Sequence, residues 1–440
     1  MKLPSFILFI LVCWSLPAQS VMTLDQALQI AMENNQDIAI AEQLVRIEQR
    51  KVFKGNAGLT PTVRAFAGGE YSQNNLVFEL NNFGENSTQT QRISEDLAFS
   101  MSHNAGIRLD YTLSNGGRGK HQLQQLQNLA DLSTLQLRLT VENTLLNVTQ
   151  LYLGVSSLEQ TEQLLTQNIE LSHQRLEQAE IDKKYAKSGT LSVLRARTDL
   201  NTDSVSLRNL QRDLSNTKER LLRLLNINEE YAFSTVPVLN PDKLPELDQL
   251  RTYTLQRNVQ VLLAKQGVFI EEQQLKIDAS ANVPQVDVFA GPSFLRQDYE
   301  VNQIRSSQTI GPTAGFSVNY LLRDGKKRQR TQEIQRMKIV ANRQEQELAT
   351  ENVLLELSQA WNDYQTIQEQ LGFERDNLSF YEENLQQSMI SNEAGKIPDT
   401  EVRSAQLSLL SAEVSIARQE IELQQTYFQL LSIAGLITTF

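Results

Sequence analysis

The sequence predicts a mostly helical chain with a membrane β part, in which long antiparallel helical hairpins join four strands. Three observations carry that prediction: the chain contains itself twice, short segments alternate with period two, and two proline-free stretches carry helical heptads. The chain has 440 residues, 40% hydrophobic and 21% charged, with a formal net charge of −11. That is enough for two or three average domains or one large architecture. An acidic chain is no electrostatic match for nucleic acid, which needs a cationic footprint. Only ten prolines occur, none between Thr62 and Val236. Collagen-like, Pro-rich and small disulfide-rich classes are excluded, and long helices are allowed.

The first residues read as an export signal. Lys2 precedes an apolar run over residues 6–16, and Pro17, Ala18, Gln19 and Ser20 follow it. A charged start, a short apolar core and a small-x-small site predict cleavage after Ser20. The run is about half the ~20 residues that a membrane-spanning helix needs. Its removal takes away one Lys and no acid, leaving a net charge of −12, and takes the single Cys, Cys13. The bulky neighbours Val12 and Trp14 argue against lipid attachment there. The mature chain then has no disulfide, no thiol nucleophile and no Cys-based metal site. No later segment approaches ~18 consecutive apolar residues, so an exported chain without a transmembrane helix is expected.

The internal repeat organises the rest. Asn35, Pro61, Val63, Phe66, Ala67 and Gly68 recur 223 positions later as Asn258, Pro284, Val286, Phe289, Ala290 and Gly291. Further on the offset is 209: Tyr111, Leu113, Gly116, Leu145 and Gln150 match Tyr320, Leu322, Gly325, Leu354 and Gln359. Tyr152 matches Trp361, and Leu221 and Leu222 match Leu430 and Leu431. The first copy therefore carries extra residues between Gly68 and Tyr111. Residues 71–103, rich in Asn, Ser, Gln and Gly, are expected to form an exposed loop. Val236, Pro237, Pro241, Leu244 and Pro245 mark the join. The expected organisation is a signal over residues 1–20, a first repeat over 21–240 and a second over 241–440.

Each copy reads helix, strand, loop, strand, long helix, helix. Thr23 caps the first helix, with Gln26 as its capping-box partner. Ala27, Leu28, Ala31, Ile38, Ala41, Leu44 and Val45 fall mostly at helical spacing. Pro61 ends this helix and pushes Thr60 toward extended geometry, and Pro284 does the same in the second copy. Over residues 105–113, Ile107, Leu109 and Tyr111 alternate with Arg108 and Asp110. Over 312–321, Phe316, Val318 and Tyr320 alternate with Ser317 and Asn319, and Val286 and Val288 alternate with Gln285, Asp287 and Phe289. Such alternation puts one face in an apolar medium and the other in a polar one. Segments of about ten residues fit tilted membrane-crossing strands.

The long helices follow the strands. Residues 120–187 contain no Pro, and Leu137, Val141, Leu145, Val148, Tyr152 and Val155 form a coiled-coil seam. About 65 residues at 1.5 Å each reach ~100 Å, and residues 326–392 repeat this reach. The turns at residues 187–190 and 393–396 send a second helix back, with Gly189 and Gly395 expected in the left-handed conformation that stops a helix.

Four strands cannot close a barrel, and an open sheet edge is forbidden in lipid. The chain must therefore oligomerise, most simply by cyclic closure. Eight strands leave a filled interior, and larger counts leave an aqueous lumen. A polar inner face with Arg108, Asp110, Ser317 and Asn319 prefers water. Coiled-coil seams alone would also suit a periplasmic adaptor or scaffold, and membrane fractionation separates the two readings.

Other constellations carry less. His103, His121 and His173 lie far apart, and His173 with Glu177 lacks a third ligand for a metal. No Gly-x-Ser-x-Gly elbow occurs. Gly116, Gly117, Arg118 and Gly119 before a helix suggest phosphate binding only superficially, and a tight return turn is favoured. No cofactor or catalytic residue is expected. Lys326, Lys327 and Arg328, just past a strand end, read either as headgroup ligands or as solvated charges.

The chain resembles the TolC-like outer membrane efflux proteins. The signal, the duplicated unit and the Pro at each helix-to-strand switch match that family. So does Tyr-Thr-Leu-Ser-Asn-Gly-Gly-Arg over 111–118, with its partner Tyr-Leu-Leu-Arg-Asp-Gly-Lys-Lys over 320–327. The family's strand-end turns then fall on Gly116, Gly117, Arg118, Asp324 and Gly325. The resemblance implies a homotrimer in the outer membrane of a Gram-negative bacterium, with a twelve-stranded β-barrel and a periplasmic α-barrel. It implies contact with outer-membrane lipid, a periplasmic adaptor and an inner-membrane pump of the resistance-nodulation-division, ABC or major facilitator type. Drugs, metals or proteins are the family's cargo, with small molecules as the default. The family's Gly, acid and Ala spacing falls on Gly395, Glu401 and Ala405. Its two acidic gate positions map to Glu401 and Ser404, so one acid survives. In the first copy Gly189 to Ala196 is three residues short of that spacing. The adaptor contacts would fall on Ser188, Gly189 and Thr190, and on Ala394, Gly395 and Lys396.

Overall fold

The computed structural model describes residues 20–81, 90–228, 231–237, 244–300 and 305–437. The expected signal up to residue 19 and the join at 238–243 lie outside them. In chain order the elements are β1 (Ser20–Met22), α1 (Leu24–Asn34), α2 (Gln36–Lys51), β2 (Thr62–Asn81) and β3 (Thr90–Ser114). Next come α3 (Arg118–Lys184), α4 (Thr190–Leu225), β4 (Phe233–Thr235), α5 (Leu247–Arg257) and α6 (Val259–Ser280). The chain ends with β5 (Gln285–Tyr299), β6 (Ser306–Asn319), α7 (Lys327–Glu393) and α8 (Asp399–Ile433). None of the described helices is long and apolar enough to cross a membrane.

Two compact units emerge, and each draws on both sequence copies. Among the described residues, the first holds those within 20–44, 134–263 and 346–437. Its two cores are built from equivalent positions. Val148, Tyr152, Leu221 and Leu222 pack with Ala27 and Phe233 in one. Leu357, Leu430 and Leu250 pack with Trp361 in the other. Thr23 caps α1 with the full capping box that its spacing to Gln26 predicts. The single first helix expected to run to Pro61 is two helices that stop at Lys51, ten residues short of that proline, and the reason for the break between them is Asn35. Its Oδ1 accepts from the Asp37 and Ile38 N–H groups at the head of α2, and its Nδ2 donates to the Leu224 carbonyl at the end of α4. Asn258 does the same between α5 and α6, accepting from Gln260 and Val261 and donating to the Ile433 carbonyl at the end of α8. Each Asn thus caps one helix and satisfies the orphan carbonyl of another.

The residues after the expected cleavage site are held firmly. β1 pairs in parallel with β4. The fully buried Tyr152 places its hydroxyl 2.8 Å from the Met22 carbonyl and 2.9 Å from the Val236 carbonyl, and accepts from the Val236 N–H. Burial raises this phenol above its usual pKa, so it stays a neutral donor. Glu159 accepts from the backbone and hydroxyl of Thr235 and pairs with Lys218 at 2.6 Å.

The second unit holds residues 45–133 and 264–345. Its core element is one antiparallel sheet in the order β2-β3-β5-β6. Residues 71–103 are not a loop. Apart from residues 82–89, which are outside the described chain, they extend β2 and β3 to 20 and 25 residues. Strand pairing there satisfies the backbone, so the side chains need not be apolar. β5 and β6 run 15 and 14 residues, so all four strands exceed the expected ten.

Candidate functional surfaces: sheet faces and hairpin tips

Register sorts the side chains of the sheet onto two faces. Arg64 pairs with Arg108, Thr62 with Asp110, Asp110 with Phe289, Asp287 with Ser317 and Gln285 with Asn319. Arg108, Asp110, Ser317 and Asn319 therefore share one face, as the alternation predicts. On it Asp110 bridges Arg64 at 2.9 Å and Arg108 at 2.8 Å. Arg108 also stacks over the Phe289 ring at 4.1 Å. Two aromatics of this face lie across glycines: Phe66 opposite Gly106 and Phe289 opposite Gly315. A β-carbon at either glycine would meet the ring, at 2.8 Å and 2.6 Å respectively. The other face carries Val63, Ile107, Leu109, Ile310, Phe316 and Val318, all exposed, Phe316 to 75%. A sheet that leaves its apolar face open has not finished burying itself.

The sheet also has two open edges, β2 and β6. At its helical end the strand-to-helix turns use left-handed backbone at Gly116, Gly117, Gly325 and Lys326, just before Arg118 and Lys327 open the long helices. Asp324 accepts from the Arg328 backbone at 3.0 Å and from its guanidinium at 2.8 Å, which holds its carboxyl below the usual range.

The hairpin tips are the second surface. In the second hairpin Gly395 takes φ +70, as expected, and Lys396 N–H donates to the Ser391 carbonyl. In the first hairpin the left-handed residue is Ala186 at φ +58, and Lys187 N–H donates to the Asp182 carbonyl. Gly189 instead sits at φ −90 as the N-cap of α4. Ala186 and Gly395 are 209 positions apart, the repeat offset. Counted from Ala186, Ala196 stands at the ten-residue spacing that seemed short. The equivalents of Ala394, Gly395 and Lys396 are Tyr185, Ala186 and Lys187, while Ser188, Gly189 and Thr190 correspond to the start of α8. The positions matching Glu401 and Ser404 are Ser192 and Arg195. An alanine in the left-handed region costs about 1–2 kcal/mol. Ala186→Gly should therefore slow hydrogen exchange of the tip amides at 182–190 by roughly five- to thirtyfold, and unchanged protection would show that the strain is absent.

A polar network ties α3 and α4 to α8. Arg403 grips Asp203 with two bonds of 2.9 and 2.6 Å, and Ser172 donates to Asp203 at 2.6 Å. Arg175 grips Asp399 at 3.2 and 2.6 Å, and Asp199 lies within 3.8 Å of both guanidinium groups. Gln406 donates to Asn168 at 2.7 Å. Burial pushes the Asp203 carboxyl up, but hydrogen bonds from Arg403 and Ser172 outweigh it, and its pKa lies below the usual value. Asp399, Arg403 and Gln406 form one stripe of α8, whereas Glu401 and Ser404 are exposed on another. Sequence reasoning missed this network. The available signal was that Asn168, Ser172 and Arg175 continue the apolar seam of α3 with polar residues.

The model of the family described as outer membrane efflux protein matches residues 27–226 and 250–436. Among solved structures, the outer-membrane channel OprN is 18% identical with a TM-score of 0.77, covering 94% of this chain and 89% of its own. CusC is 16% identical with a TM-score of 0.76, covering 94% and 92%. The outer membrane protein VceC of Vibrio cholerae is 14% identical with a TM-score of 0.72, covering 94% and 96%. No curated protein sequence matches.

Proposed function

Because this chain belongs to the outer membrane efflux protein family, we propose that it is the exit duct of a tripartite export system, carrying small molecules outward without chemistry of its own. Channels of the family are outer-membrane homotrimers that work with periplasmic adaptors and inner-membrane pumps. The single observation that supports the reading most is the sheet: four strands, two open edges, one polar face and one exposed apolar face. Lipid tolerates no open edge. Joining β6 of one copy to β2 of the next gives twelve strands with three copies, and that count leaves a water-filled lumen. Arg108, Asp110, Ser317 and Asn319 then line the lumen, and Phe316 and Val318 face lipid. Multidrug export is the default cargo class, since no Met or His cluster favours metals. A pump of the resistance-nodulation-division, ABC or major facilitator type would drive it.

The tips at residues 185–190 and 394–396 are the adaptor contacts in this reading. The network between Arg175, Arg403 and their aspartates holds the second hairpin against the first. Glu401 and Ser404, on the free stripe of α8, face the narrow end of the duct, where three Glu401 side chains form an acidic ring. Like charges that close together are costly, and the ionic network behind them offsets the repulsion. Purified protein should run as a trimer and conduct in planar bilayers. Glu401→Gln should weaken block by divalent cations about tenfold, and an unchanged block would remove Glu401 from the gate. A deletion strain with unaltered tolerance to dyes, detergents and antibiotics would count against multidrug cargo.

A further inference from the structure

The first turns of α3 and α7 carry charge of the sign that the helix dipole disfavours. α1, α2, α5 and α8 open with acids, Asp25, Asp37, Asp248, and Asp399 with Glu401, as the helix dipole favours. α4 and α6 open on uncharged residues. Only α3 and α7 begin at strand ends of the four-stranded sheet, and among the described helices only these open with cations and no acid. The departure is greatest at α7. Arg323, Lys326, Lys327, Arg328 and Arg330 stand against one acid, Asp324, in a chain of net charge −11. Asp324 is already committed to Arg328, whose remaining N–H groups donate to the Ala281 and Leu321 carbonyls. The other four cations are exposed, and none forms an ion pair with a described residue. Lys326 also holds φ +68 where its counterpart in the first copy is Gly117. A strained lysine at the positive end of a helix is retained against two local costs. On the strand side of these cations Tyr320, Leu321 and Leu322 are exposed, Leu322 to 85%.

We propose that this cluster binds the headgroup phosphate of an anionic glycerophospholipid in the periplasm-facing leaflet. The proposal rests on the outer-membrane reading, which puts the helical end of the sheet at that leaflet. An anion in front of α7 relieves the mutual repulsion of the four cations and complements the helix dipole. Tyr320, Leu321 and Leu322 then meet the acyl region while the long basic side chains reach up to the headgroups. The equivalent turn of the first copy has only Arg118 and Lys120, and its site is correspondingly weaker.

The test is lipid retention by the purified full-length protein, in detergent micelles doped with phosphatidylglycerol or phosphatidylcholine and read by native mass spectrometry. Phosphatidylglycerol should be retained preferentially, less so at high salt. Lys327→Gln with Arg330→Gln should reduce its affinity about fivefold per charge removed, whereas Arg118→Gln with Lys120→Gln should reduce it less. Lys326→Gly relaxes the backbone, so it should assemble as well as the parent and still lose about fivefold in affinity. Equal retention of the two lipids, or variants at the second copy that bind like the parent, overturns the proposal. Conductance of the same samples separates the two levels. A sample that conducts without lipid preference overturns this inference alone. One that neither assembles nor conducts overturns the channel reading beneath it.

Discussion

Replacing Arg403 by Ala is expected to release the second hairpin from the first and to raise single-channel conductance several-fold. The side chain of Asp203 is 8% exposed and depends on Arg403 for its only cationic partner within 4 Å among the described residues. Removing the guanidinium leaves a buried carboxylate with the Ser172 hydroxyl and little else, a loss of about 3–5 kcal/mol. The chain can recover part of that by letting water reach Asp203, which means moving α8 away from α3 and α4. Arg403→Lys tests the mechanism, because an ammonium keeps the charge but cannot grip with a planar fork, and it should fall between the parent and Ala. Acid should imitate the substitution. The folded-state pKa of Asp203 lies below its ordinary value, so the network's stabilisation is complete above about pH 3.9. It is lost as the pH falls through the lower folded value. Planar-bilayer recordings of Arg403→Ala that match the parent at neutral pH would show that the network does not hold the duct closed.

The positions that were legible in the sequence share one property: local pattern decides them. Period-two alternation put Arg108, Asp110, Ser317 and Asn319 on one face, and register did the same. Proline-free heptads gave both 67-residue helices to within a few residues. Thr23 and Gln26 announced their capping box three residues apart. What stayed hidden depends on partners far along the chain. Residues 71–103 look like a loop because Asn, Ser and Gln dominate, yet each strand supplies the other's hydrogen bonds, and composition does not record pairing. Asn35 looks like one polar residue in a helix until the Leu224 carbonyl, 189 positions away, comes to meet it. Glycine is the usual marker of the left-handed position, and in the first hairpin Gly189 points three residues past the real one. Ala186 holds that position without it. The Arg403 network was invisible for the same reason, since Asp203 and Arg403 are 200 residues apart.

Gly291→Ala should abolish the assembled channel. β3 and β5 join the two copies within the sheet, and among the described residues no other strand pairing crosses between them. At Gly291 that seam is already weak, because the neighbouring Pro292 has no N–H to give and no ladder pair forms at Ile107 or Arg108. A β-carbon on Gly291 would overlap the Ile107 carbonyl oxygen, with the Arg108 Cα close behind. These are backbone atoms and cannot rotate aside, so the strands must separate. Overpacking of this kind costs about 3 kcal/mol or more, and separation exposes backbone groups that lipid cannot satisfy. Gly315→Ala should be milder, since the obstacle there is the Phe289 ring, a side chain that can swing aside. Gly311→Ala, on the same face of β6 with nothing within 4 Å of the new carbon, should be silent. Heat-modifiable oligomer on gels, quantified from outer-membrane fractions, gives the order: Gly311→Ala equal to the parent, Gly315→Ala reduced, Gly291→Ala absent. Normal oligomer from Gly291→Ala would mean that β3 and β5 do not approach as closely as described, and the continuous four-stranded sheet would have to be redrawn.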